Sequence, residues 1–83
     1  MRKLFSTKPY EDNSEGYYAE LVHVFDFESE DESEDFQILS HSEQLASCGF
    51  KEEKTPAKSG TIHRYVVDAS DVFVVIRETV MTW

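Results

Sequence analysis

Eighty-three residues with a formal charge of -9, from seventeen Asp and Glu against eight Lys and Arg, describe one small acidic domain. That balance excludes the basic footprint needed to bind nucleic acid or an anionic membrane surface, so no direct nucleic acid and no membrane is expected, and a basic protein partner is favoured. The single cysteine, Cys48, excludes an internal disulfide, and no apolar stretch approaches the ~20 residues that span a bilayer, so the expected compartment is reducing and intracellular, the cytoplasm.

The chain opens on Met1, Arg2, Lys3, Leu4 and Phe5, basic enough for a signal sequence, but polar residues and Pro9 follow at once and no apolar core of a signal appears. Residues 1–16 mix Pro9, Asp12, Asn13, Ser14 and Gly16 with scattered charges, which predicts an irregular arm ending in a turn, with Leu4 and Phe5 as a short edge strand. From Tyr17 to Phe27 the pattern alternates. Tyr17, Ala19, Leu21, His23, Phe25 and Phe27 share the predicted core face, with Tyr18, Glu20, Val22, Val24 and Asp26 on the other.

Residues 26–35 come next. Asp26, Glu28, Glu30, Asp31, Glu32, Glu34 and Asp35 put seven carboxylates into ten residues without one basic residue. Such a block repels itself and cannot enter a core, so it is a solvated loop, an exposed helix start or a surface held out to a cationic partner. Ser29 and Ser33, set among these acids, are candidate sites for an acidophilic kinase.

Beyond the block, Ser40 with Glu43 forms a capping box, and Gly49 followed by Phe50 is the pattern of a Schellman C-cap, so a helix is bracketed near residues 41–48. Two patterns compete for its start. With Ser33 as N-cap, Glu34 and Asp35 fall in a first turn that favours carboxylates, giving one longer helix in which Phe36 is the misfit. The rival is a short strand over residues 36–39 ahead of a two-turn helix. The longer helix is preferred, because a two-turn helix covers a sheet poorly.

Residues 50–54 alternate weakly, as a charged edge strand would. Residues 55–60, with Pro56 and Gly60, predict a loop, and residues 61–68 a strand. After a turn at Ala69 and Ser70, residues 72–82 form the last strand, whose Val72, Phe73, Val74, Val75 and Ile76 are apolar on both faces, the mark of a central strand. The expected fold class is α+β: a three to four stranded, mainly antiparallel sheet with one helix packed on one face. It occupies a single domain, 1–83, with 1–16 as an arm and 28–35 as the acidic segment.

Catalytic and metal chemistry find little footing. His23, His41, His63 and Cys48 are the soft ligands, and no pair has zinc-motif spacing. The acidic block has no glycine and lacks the spacing of a calcium loop. Cys48 near a helix C-terminus lacks the positive surroundings that activate a thiol. No glycine-rich phosphate loop exists. The expectation is a protein without catalytic residues, metal or cofactor, not an enzyme.

The block itself approaches nucleic-acid charge density. Seven charges in ten residues give roughly one per 4.7 Å if extended and roughly one per 2 Å if helical, against about one per 3.4 Å for a single DNA strand. Tyr17, Tyr18 and Trp83 are the candidate contact anchors, since Tyr and Trp combine large area with a polar handle. A compact acidic chain of this size, with one charged surface and no catalytic motif, resembles small phage-encoded inhibitors of host restriction, CRISPR or transcription machinery. The resemblance is one of size and charge and transfers no residue. It implies a viral protein acting in a host cytoplasm as a nucleic-acid mimic, anti-CRISPR or anti-restriction-like, on a basic nucleic-acid-handling partner. The alternative is an adaptor binding through a sheet edge or aromatic patch, with the acidic loop only solubilising. A self-pairing edge over residues 50–54 or 61–68 leaves room for a homodimer.

Overall fold

A computed structural model describes residues 1–7, 10–12, 17–51 and 61–82. In chain order the elements are β1 (Arg2–Ser6), β2 (Tyr10–Asp12), β3 (Tyr17–Asp26), α1 (Glu30–Gln37), α2 (His41–Ser47), β4 (Thr61–Ala69) and β5 (Phe73–Thr82). β3 and β5 pair antiparallel from Tyr17 opposite Thr82 to Asp26 opposite Phe73. β4 takes the far side of β5, and β1 and β2 lie end to end along the far side of β3. Among the described residues the sheet is therefore four strands wide and antiparallel, with the apolar β5 inside it, as its sequence predicts.

In its described parts the arm is not irregular but an edge strand. Its register slips by one residue between Lys3 and Phe5, and by one more between Ser6 opposite His23 and Tyr10 opposite Glu20. Bulges of this kind blunt an edge against pairing with another chain.

Alternation along β3 sends Ala19, His23 and Phe25 to one face, where Val74 and Ile76 of β5 join them. Both helices cover that face. Phe36 from α1 and Leu45 from α2 are buried there with Phe25, Val74 and Ile76, and Phe27, Leu39, Cys48, Phe50, Tyr65 and Val67 pack around them.

Two helices rather than one longer helix lie on the sheet, and the reason is local. Ser40 must hold an extended backbone (φ -66°, ψ 162°) for its Oγ to accept from the Glu43 N–H while the Glu43 carboxylate accepts from the Ser40 N–H. No helix can run through a residue in that conformation. Ser29, not Ser33, caps α1: its Oγ accepts from the Glu32 N–H at 3.2 Å. Starting there puts Ser33 and Phe36 on one helix face, so Phe36 is an anchor of the core and not a misfit. Residues 36–39 close α1 and the turn beyond it, and form no strand.

The Schellman ending of α2 is present. The Phe50 N–H donates to the Leu45 carbonyl at 2.9 Å and the Gly49 N–H to that of Ala46 at 3.0 Å, with Gly49 at φ 86°. Phe50 and Lys51 lie outside regular structure, and the rest of the edge strand expected there falls outside the described residues. Ser70 organises the β4–β5 turn, its Oγ accepting from the N–H groups of Val72 and Phe73. Among the described residues no helix is long and apolar enough to cross a membrane.

Candidate functional site

The seven carboxylates of residues 26–35 do not act as one surface. At about 100° per residue, Glu30, Glu34, Asp31 and Asp35 fall within an arc of about 140° on α1. All four are exposed. Glu32 lies outside that arc, and its carboxylate meets the Met1 ammonium at 2.8 Å. The hydrogen bond to that ammonium holds the Glu32 carboxyl below its usual range and raises the Met1 amine above its own. Glu28, between β3 and α1, lies 4.0 Å from the same ammonium. Asp26 belongs to the opposite face of the sheet, where its Oδ2 accepts from Arg2 Nη2 at 3.1 Å.

One acid that the linear block does not contain joins the arc. Asp71, in the β4–β5 turn, lines a shallow cleft of about 230 Å³ with Glu30, Ser33 and Glu34. The cleft is held by a clasp beneath it. Buried Ser33 donates from Oγ to the Ser70 carbonyl at 3.4 Å and accepts from Gln37 Nε2 at 2.9 Å, so α1 is tied to the turn that carries Asp71. The carbonyl of Phe36, near the end of α1, accepts from Gln44 Nε2 of α2 at 3.1 Å, which settles one of the acceptors a helix leaves open. Five carboxylates thus stand on a braced surface, and among the described residues none of the five has a cationic partner.

Of the three candidate aromatic anchors, two have backbone positions away from the acids. Tyr17 and Tyr18 begin β3 and Asp26 ends it, so about 30 Å of strand separates them. Their side chains, and all of Trp83, lie outside the described residues.

A polar cluster interrupts the covered face. His23 Nδ1 lies 2.7 Å from Ser6 Oγ, its Nε2 lies 3.5 Å from Glu78, and His63 Nδ1 approaches the other oxygen of that carboxylate at 3.9 Å. Among the described residues neither His23 Nε2 nor His63 Nδ1 has a hydrogen-bond partner. Desolvation, with Lys3 adding to it, lowers the His23 pKa below the ordinary histidine value against the pull of Glu78. The ring lies 4.8 Å from that of Phe50, tilted at 54° to it. Among the described residues no group of three or more His, Cys, Asp or Glu is arranged to hold a metal ion. Burial pushes the Cys48 thiol up to about 11, which leaves it a small hydrophobe at neutral pH.

Sequence reasoning ranks the block by composition and so misses Asp71, which is remote in the chain. It also counts Asp26 with the block, although the alternation of β3 assigns that residue to the other face. Comparison of the chain with family models, curated proteins and solved structures finds no match.

Proposed function

We propose that this chain is a non-enzymatic inhibitory binding protein that lays the acidic face of α1 into a basic nucleic-acid-binding site on a partner protein. The observation that carries this reading is the exposed arc of Glu30, Asp31, Glu34 and Asp35, extended by Asp71 and braced by the Ser33 clasp. Four charges on an eight-residue helix, about 12 Å long, amount to about one per 3 Å, close to the ~3.4 Å spacing of a single nucleic-acid strand. A cationic groove would be steered to such a surface and would lose affinity as salt screens it.

The test has two stages. Proteins captured from the source cells on the immobilised chain are eluted with salt, and the eluted partner is then titrated with wild type and with a variant carrying Glu30→Gln, Asp31→Asn, Glu34→Gln and Asp35→Asn. Wild-type binding weakens at least about tenfold between 50 and 200 mM salt, competes with nucleic acid for the partner and is lost in the variant. A partner that holds the neutralised variant as tightly as wild type removes the reading. That result would support the adaptor reading, which one feature favours: β4 ends the strand order of the described residues, where an added strand would pair.

A further inference from the structure

We propose that the uncovered face of the sheet is the interface of a face-to-face homodimer of this chain. The strand registers lay that face out as a grid. Arg2, Asp26 and Phe73 form one row; Phe5, Val24, Val75 and Asp68 the next; then Val22, Arg77 and Val66; then Glu20, Thr79 and Arg64. The middle of the grid is apolar, and no element of the described fold covers it: Phe5 is 55%, Val66 58% and Phe73 45% exposed. Both helices are spent on the other side.

Charge selects the occupant. Arg2, Arg64 and Arg77, all the arginines of the chain, stand on this grid against Glu20, Asp26 and Asp68, so it carries no net charge on a molecule of -9. Arg2 lies 3.1 Å from Asp26, and Arg77 lies 4.0 Å from Asp68. Two copies meeting through α1 would set one acidic arc against another. A basic partner would be drawn to that arc and would gain nothing from a neutral grid. A second copy brings a face that is itself neutral, so the contact adds no repulsion of its own, and the interspersed signs let a two-fold axis place arginines of one copy against carboxylates of the other. The two sheets would stack about 10 Å apart, with apolar rows interleaved.

The area sets the strength. The grid runs about 20 Å along the strands and about 19 Å across them, a flat area well under the ~800 Å² per partner of a standard interface. The dimer is accordingly weak and dependent on concentration. It leaves both acidic arcs facing outward, and it stands whether or not they bind a cationic groove.

Sedimentation equilibrium of the full chain from about 10 µM to about 1 mM tests the proposal. The mass rises from one chain towards two across that range, and Val66→Glu or Phe5→Glu, both at exposed positions, weakens the dimer at least about tenfold. Glu34→Gln does not weaken it. Wild type gives an independent readout: methyl resonances of Val22, Val24, Val66 and Val75 shift with concentration while those of Leu45 and Val74 stay fixed. A monomer throughout the range overturns the proposal. So does a dimer that survives both substitutions, or methyl shifts that avoid the grid.

Discussion

The two faces of this sheet are made from the same strands and are held to different standards. On the covered face the centre is committed: Leu45, Val74 and Ile76 have no exposed surface, and Phe36 fixes α1 to the strands beneath. On the uncovered face valines and phenylalanines stand among paired charges with solvent above them. One face specifies the fold, and the other is free to specify a contact. The acidic arc of α1 shows the same division within a single helix, whose inner side is packing and whose outer side is charge.

Substitutions should separate the faces in order of size. Phe36→Ala should destabilise the chain by about 3–5 kcal/mol, a large share of the roughly 4–12 kcal/mol expected for a domain this size. Urea denaturation measures it. Val66→Thr on the open face should change the same midpoint by no more than about 0.5 kcal/mol. Equal effects would erase the distinction. Ser40→Ala removes the capping box of α2 and should cost about 1 kcal/mol.

Acidity should act through the covered face. His23 has a folded-state pKa below its unfolded value of about 6.5. Between the two values the unfolded chain holds more protons, so stability falls as pH drops through that window and levels off below the folded value. Glu32, whose folded pKa is also lowered, acts in the same direction at lower pH. His23→Gln should flatten the midpoint against pH near 6.5, and an unchanged curve would assign the dependence to other groups.

One small expected effect has the opposite sign. Glu30 with Glu34 and Asp31 with Asp35 are like charges one helical turn apart, so neutralising Glu34 and Asp35 should stabilise the chain by about 0.5 kcal/mol while weakening partner binding. A variant that is both less stable and still bound would contradict the division proposed for α1.

What the sequence makes legible is what neighbours decide. Ser40 with Glu43, and Gly49 with Phe50, declare the two ends of α2 because each cap involves residues only a few positions apart. The alternation from Tyr17 to Phe27 declares β3 for a similar reason. The start of α1 is harder, since Ser29 and Ser33 are equally good caps by type and only burial of Phe36 against the sheet separates them. β1 is legible only through Leu4 and Phe5, the short edge strand expected there, and β2 is illegible as a strand because its partner is β3 and its own surroundings have the composition of a turn-rich arm. For the site, the exposed arc can be read from spacing once the helix start is known. Asp71 cannot, because only the fold brings it to Glu30 and Glu34.

The clasp at Ser33 also bears on when each part of the chain acquires its shape. The carbonyl that receives the Ser33 hydroxyl belongs to Ser70, thirty-seven residues further on. A nascent chain emerging from the ribosome would carry its most highly charged segment through the synthesis of those thirty-seven residues without the hairpin that fastens it. A synthetic peptide copied from α1 alone, eight residues of mutual repulsion too short to hold a helix, would be a flexible polyanion and no substitute for the folded surface.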